Sequence, residues 1–585
     1  MKLKRRIAEG FRPFLWLLAD AAVVGAIAWP AAALLLFLVN PELPFTPGGF
    51  FATMGAILPQ ALLVFVLAGP LLVLIGNAFA VGRSSTRGFR VRHVVRFAFL
   101  DAFLLWLASF DQWRVTGPLL PDATRAALAI TVSALGAAWV TALVFIVMDL
   151  RRPGSVRVPW LVALAVAVLV ALAGAGDMRR VRFPDPVPID VRGFAADRPV
   201  IVFEVPGLSL EMLEGYVERG TAPALETLLT AGTLLTVDGG LVEEPLALHA
   251  TLVTGRGPEQ HRVLGPLRYR PRLGGGGVSF GILPRGLLFW PSLKLGLWEA
   301  EPVTAASLRA VSLTGIARAL GLPVAIVGDP LAGRPPNSES VIVPPDALRA
   351  GEAIALGPAG SVTCAAAGPL GDRFFDPPAS ELPGTRALDA LVRAAMESDL
   401  CALAAARELA ATGRFALVHV RLGGLERIAR QFAGWQPDSA ARGASDRELE
   451  AYGRVLTRYV RQLDPAGGAL ASAGPPEALF ALVSPHGVVP RQDLGRLAEA
   501  LTGVSRPTAS TKGPPPGALI LGGEGVVPAG HRAGEIALES VLPTLLWGAG
   551  LPAAADMGPI AIHAFTPEYV AAHPVIGVPS YGKRR

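Results

Sequence analysis

Cysteine is nearly absent. The two present in 585 residues, Cys364 and Cys401, lack CxxC or Cys/His ligand spacing, which excludes a zinc ribbon and a disulfide framework and leaves their pairing open. Lysine is scarce, and runs of like charge occur only in the first residues and the last three. The net charge of +6 and pI of about 9.6 therefore do not describe a nucleic-acid-binding surface. Charged residues make up 17% against 52% hydrophobic, and the mean hydropathy of +0.46 is too high for an ordinary soluble chain.

The apolar residues are grouped. Stretches at Phe14 to Asn40, Phe51 to Val81, Val94 to Phe110, Ala126 to Met148 and Val158 to Ala175 each approach or exceed the ~20 helical residues that cross a ~30 Å hydrocarbon core, so five spans are expected over 1–178. A cleaved signal peptide has a shorter apolar region and is not followed by four more such stretches. Basic residues cluster at Lys2, Lys4, Arg5, Arg6 and Arg12, again at Arg83, Arg87, Arg90, Arg92 and Arg96, and at Arg151, Arg152 and Arg157, whereas the alternate loops are poor in them. That asymmetry predicts a cytoplasmic N-terminus, and an odd number of spans places the rest of the chain outside. Asp20 and Asp101 fall within spans; the former lies near the cytoplasmic end and the latter within about a turn of Arg96, so snorkelling or local pairing is expected of them. Pro30, Pro59 and Pro70 are expected to kink their helices.

A Pro-, Asp- and Arg-rich linker occupies 179–198, and beyond it short β-branched runs alternate with amphipathic helices, the pattern of an α/β domain with a mostly parallel sheet. PVIVFEV at Pro199 to Val205 reads as the first buried strand. Helices follow at Leu210 to Arg219, Pro223 to Ala231 and Pro245 to Thr254, and further strands at Val324 to Val327, Phe415 to Val420 and Leu479 to Val483. The domain is expected to run over 199–570, with 571–585 as a tail.

The run VIVFEVPGLSLEMLEGYVERGTAPALETLLTAGT, followed by HATLVTGRGPEQHRVLG, resembles the opening of the type I phosphodiesterase and nucleotide pyrophosphatase (sulfatase-like) family of the alkaline phosphatase superfamily. LTGIARALGLPVAIVGDPLAGRPPNSESVIV, FALVHVRLGGLERIARQF, EALFALVSPHGVVP and HRAGEIALESVLPTLLWGAGLP resemble later segments in the family's order. The plan of five spans and an external domain is also similar to lipoteichoic acid synthases and lipid A phosphoethanolamine transferases. The resemblance implies two metal ions, commonly zinc, held by Asp and His around a Thr or Ser nucleophile, since in-line displacement at phosphorus needs cations on both oxygens.

At the positions the resemblance assigns to that chemistry, this chain differs. The first strand's Asp is Pro206, ahead of Gly207, and the nucleophile, nine residues before Thr254, is Pro245. The Asp and His of the second metal motif are Glu426 and Arg430. In the Asp-His-Gly motif the Asp is Pro485, while His486 and Gly487 remain, and Ser510 to Pro516 lacks the last His. A proline side chain carries no donor, acceptor or ligand atom, and Arg430 repels a dication. Spaced i, i+4, Glu426 and Arg430 are expected to pair, worth about 0.2–0.5 kcal/mol when exposed. Pro245 suits a first helical turn, with Glu243 and Glu244 favouring the positive helix end.

No catalytic residue and no cofactor is therefore expected. The chain reads as a membrane-anchored pseudoenzyme whose partners are membrane lipid and an envelope protein, glycan or lipid head group, in a bacterial inner membrane with the C-terminal domain periplasmic or extracellular. The alternative is a phosphodiesterase or phospho-head-group transferase with an atypical zinc or manganese site improvised from Glu204, Glu243, Glu244, Glu426, His249 and His486. Against it stands the expectation that these histidines are leftover or core residues and the glutamates solvated. His261 and His419 read as structural, Asp238 with Gly239 as a turn, and Tyr269 to Val303 as an exposed, membrane-facing or capping insertion.

Overall fold

The computed structural model describes residues 2–582 apart from the segments 69–88, 179–190, 284–292, 365–373, 437–444 and 489–512 and some shorter gaps. Contacts divide the chain into two units, Met1–Phe183 with Leu264–Val303 and Leu497–Ala509, and Pro184–Val263 with Thr304–Arg496 and Ser510–Arg585.

The first unit is built from the apolar stretches. Helix α1 spans Lys2–Val39 and helix α2 spans Pro47–Ala61, the latter capped by Thr46, whose hydroxyl accepts from Gly49 N at 3.0 Å, with Pro47 in the first turn where its missing N–H costs nothing. Pro59 removes a donor inside α2, and just beyond it the ladder widens to a π-helix over Leu62–Ala68. Helices over Phe89–Val115, Asp122–Arg151 and Val158–Met178 follow. Four helices are long and apolar enough to cross a membrane: Leu18–Val39, Pro47–Val66, Asp122–Arg151 and Val158–Ala175. The helix that holds the expected third span is long enough but carries Arg96, Asp101, Asp111 and Arg114, so the five-span count remains an expectation. The end of the expected second span, with Pro70, and the loop carrying Arg83 and Arg87 lie outside the described residues, as does most of the linker. The outward faces are apolar, with Val158, Val162, Val166 and Val170 all exposed along one helix, a pattern that water penalises and hydrocarbon does not.

The insertion belongs to this unit. Leu267–Pro271 pairs antiparallel with Trp298–Pro302, Phe280 bridges to Tyr269, and the Phe280 and Trp298 rings meet edge to face at 5.4 Å. Asn40, fully buried at the end of α1, donates to Leu36 O at 2.7 Å and Ile282 O at 2.9 Å and accepts from Ile282 N at 2.7 Å. The described part of this segment thus docks on the end of α1; the GGGG run and residues 284–292 lie outside the described residues.

The second unit is a mixed α/β domain around an eight-stranded sheet. Its strands are β1 (Val200–Glu204), β2 (Thr233–Asp238), β3 (Val324–Val327), β4 (Val341–Val343), β5 (Leu417–Arg421), β6 (Leu479–His486), β7 (Pro516–Gly522) and β8 (His531–Ala537), in the spatial order β8-β2-β7-β6-β1-β5-β3-β4. Every neighbouring pair is parallel except those made by β7, which runs against both β6 and β2. The central strands β1, β3, β5 and β6 are buried along their whole length because helices cover both faces, so they read as unbroken apolar runs. Helix Leu210–Glu218 is capped by Ser209, and the amides of Ala224 and Leu225 at the start of helix Pro223–Ala231 donate to the Asp464 carboxylate at 2.8 and 3.0 Å. Cys364 and Cys401 form a disulfide onto helix Thr385–Ala411. Part of the expected tail is built into this unit, since Gly577–Val578 pairs with Ala553–Ala554.

Candidate functional site

In a parallel sheet the functional crevice forms where strands end and the chain turns into the next helix. Pro206 stands two residues beyond the last residue of β1. There Val205 N donates to Val483 O at 2.8 Å and Gly207 N to His486 O at 3.1 Å, bringing the end of β1 beside Pro485 and His486 of β6. Gly207 has φ +92°, and a Cβ there would come within 3.0 Å of the Ala429 Cβ, so glycine alone lets helix Gly423–Phe432 approach so closely. That helix brings Glu426 and Arg430 to the same edge. Arg430 Nη2 donates to Glu243 O at 3.4 Å, two residues before Pro245, which is the first residue of helix Pro245–Thr254. The positions singled out from the sequence are thus assembled in one place, except Ser510 to Lys512, which lie outside the described residues. Pro206, Pro245 and Pro485 are all buried.

The glutamates depart from expectation, since Glu204, Glu244 and Glu426 are buried rather than solvated. Glu204 ends a strand enclosed on both sides by β5 and β6, so its carboxylate must find partners within the protein. It has three. His249 Nδ1 approaches its two oxygens at 3.0 and 3.1 Å, His419 Nε2 donates to Oε2 at 2.9 Å, and Arg421 Nε donates to Oε1 at 3.2 Å. The parallel register sets Glu204 directly beside Arg421, and His419 two residues earlier lies on the same side of β5. His249 reaches onward, its Nε2 lying 2.7 Å from Asp329 Oδ1. With a carboxylate at each ring nitrogen, the His249 ring is an imidazolium donating from both.

Burial alone drives a histidine towards neutrality, yet Glu204 and Asp329 reverse this and raise His249 to about 9. Glu204 is likewise pushed up by burial but held well below the usual carboxylate range by His249, His419 and Arg421, and Asp329 is held low by His249. Glu426 does not pair with Arg430 as i, i+4 spacing predicts. Arg421 Nη2 takes it, because the strand end delivers a guanidinium to a buried acid that needs a charged donor, and Arg430 acts on it only through space. His486 gives its Nδ1 to Gly487 O at 2.7 Å and is lowered by its burial. His261 is also a core residue, accepting from Val263 N at Nδ1 and meeting Thr251 Oγ1 at Nε2, with burial lowering it to about 3. Asp238 accepts from Gly240 N as an Asx turn.

Sequence reasoning missed Asp329 and Arg421. A signal for the second was present: FALVHVR closes an apolar run on a cation, and a charge at the end of a buried strand demands a counter-charge nearby. Asp329 in VAIVGDP had a similar mark, an acid just past a strand end.

The residues present do not fit a two-metal phosphoryl-transfer site. Prolines supply no ligand atoms, Glu426 is bound by Arg421, and His486 has one ring nitrogen occupied. Among the described residues no group of three or more His, Cys, Asp or Glu is arranged to hold a metal ion. The arrangement is a closed ion-pair network at the strand ends, with the buried Pro206, Pro245 and Pro485 in the same region.

No protein-family model matches the sequence, and no curated protein does. Solved structures of the alkaline phosphatase superfamily are similar in fold at low identity. The wild-type alkaline phosphatase PafA aligns with 64% of this chain and all of its own at 11% identity and TM-score 0.38. Murine ectonucleotide pyrophosphatase/phosphodiesterase 5 aligns over 62% of this chain and 97% of its own, at 12% and 0.31. Phosphonoacetate hydrolase from Sinorhizobium meliloti 1021 aligns over 50% of this chain at 15% and 0.27, and this chain spans 57% of it. At such scores the likeness bears on neither site nor activity.

Proposed function

We propose that the chain is a membrane-anchored pseudoenzyme, an alkaline phosphatase-like body held outside the cytoplasmic membrane of a bacterium and serving as a binding or scaffold module for an envelope protein, glycan or lipid head group. The observation that carries this reading is the state of the strand ends, where prolines occupy the reactive positions and the buried carboxylates of Glu204, Asp329 and Glu426 are each bound to His249, Arg421 or both. A carboxylate already neutralised in this way has little to gain from a metal ion. Two further observations support the placement. The Cys364–Cys401 disulfide suits an oxidising compartment, and Asn40 ties the α1–α2 turn to Ile282, consistent with a cytoplasmic N-terminus and an insertion on the opposite side.

The test is metal analysis and phosphodiesterase assay of the purified full-length protein. Zinc and manganese are expected to be far below one per chain, and hydrolysis of bis-p-nitrophenyl phosphate to be at background and unchanged by His486→Ala. Stoichiometric metal together with activity abolished by His486→Ala would establish the rival, a phosphodiesterase or head-group transferase.

A further inference from the structure

Asp101 does not pair as its spacing from Arg96 predicts. It is 3% exposed, among the described residues its Oδ2 has no hydrogen-bond partner, and no ion pair joins it to Arg96, whose side chain is exposed. Asp101 instead lies in the wall of a cavity of ≈ 480 Å³ within the helical unit, formed by α1 and the helices Phe89–Val115, Asp122–Arg151 and Val158–Met178. The wall is otherwise apolar, with Val24, Ala98, Leu105, Leu135 and Ala165 typical of it, except for Asp20, itself 7% exposed. The volume falls within the ~300–1,000 Å³ of small-molecule sites, and an apolar pocket with one or two placed polar groups is what such sites require. An acid at membrane depth with no partner among the described residues is costly to ionise, and a cation arriving from outside the protein is the partner that would let it do so.

We propose that this cavity binds one amphiphile with a single apolar chain and a protonated primary amine, the chain lying against the aliphatic wall and the ammonium on the Asp101 carboxylate with Asp20 beside it. Only a cation can form an ion pair with Asp101; an acidic head would set like charges together once Asp101 ionised, and a bare hydrocarbon would leave Oδ2 unpaired, so the wall favours a cation. The inference rests on the reading of this unit as membrane-embedded.

The full chain is reconstituted in phosphatidylcholine nanodiscs, a lipid without a primary amine, and binding of oleylamine, oleyl alcohol and oleate is followed by native mass spectrometry. Failure of the chain to enter nanodiscs would refute the membrane reading; entry followed by absent or unselective binding would refute the cavity alone. The expected result is one oleylamine per chain, bound at least roughly tenfold more tightly than the alcohol, with oleate unbound. The isosteric Asp101→Asn should remove that preference, and Ala165→Phe, which fills the space with the carboxylate intact, should abolish binding. Equal binding of the three probes, or oleylamine binding unchanged in Asp101→Asn, would overturn the proposal.

Discussion

Replacing His249 by glutamine tests the network at its centre. The ring is fully buried between Glu204 and Asp329, so its charge has no water to fall back on. A proton affinity raised from 6.5 to about 9 is linked to about 3 kcal/mol of folding free energy. Because the folded value is the higher one, that stability is complete below pH 6.5 and is lost as pH rises through 9. Glu204 and Asp329, held low, act in the opposite sense, stabilising above the ordinary carboxylate range and less as pH falls. Asp399 complicates the basic limb. Burial raises it to about 7 against hydrogen bonds from Gly424 N, Tyr459 and Leu425 N, so its contribution also declines as pH rises through 7. The difference between wild type and His249→Gln therefore cancels Asp399 and reads the histidine together with the two carboxylates it holds low. Pulse-labelling hydrogen exchange of β1 and β5 peptides across a urea series, in detergent at pH 6 to 10, reads it directly. At pH 6 the variant should unfold these strands with about 3 kcal/mol less free energy, the scale of breaking a buried ion pair, and the gap should close towards pH 10. A gap independent of pH would refute the assignment of a charged His249.

Cys401→Ser should lower the stability of the second unit by about 4 kcal/mol, as expected for opening a loop of 37 residues, and the unreduced wild-type protein should take up no alkylating label under denaturation. Asn40→Ala removes both hydrogen bonds to Ile282 and leaves its backbone groups unpaired, at about 1–3 kcal/mol locally; limited proteolysis should then cut near Ile282 in the variant and not in the wild type.

The fold was legible where it follows periodicity. Continuous apolar runs such as VIVFE and LVHVR become central strands because both faces are covered, and Pro223 and Pro245 start helices at the residues where a proline costs least. Convergence of Pro206, Pro485 and Glu426 was also legible, since family spacing assigned them to one edge. The pairings were not. Spacing within a helix offers Glu426 only Arg430, whereas β5 running parallel to β1 supplies Arg421 from a different element, and no local pattern reports that register. Likewise the distance from Arg96 to Asp101 along the chain said nothing of the cavity, which four separate helices make together.

Charge balance links the prolines and the ion-pair network. At the strand ends the carboxylates Glu204, Asp329 and Glu426 face the cations His249, Arg421 and Arg430, three against three, so these six groups balance one another without any ion. A dication entering there would be left with two uncompensated charges in a buried setting, a cost no single ligand repairs. Supplying one ligand should therefore fail. Arg430→His removes a repulsive cation and supplies a nitrogen, yet Pro206 and Pro485 still give nothing and Glu426 remains on Arg421, so purified Arg430→His is expected to hold no more zinc than the wild type. Combined with Pro206→Asp and Pro485→Asp, the same change alters the balance from neutral to negative by three charges and adds two carboxylates, and zinc uptake should then appear in equilibrium dialysis. Stoichiometric zinc in the single variant would mean that neutrality at this edge is not what keeps metal out.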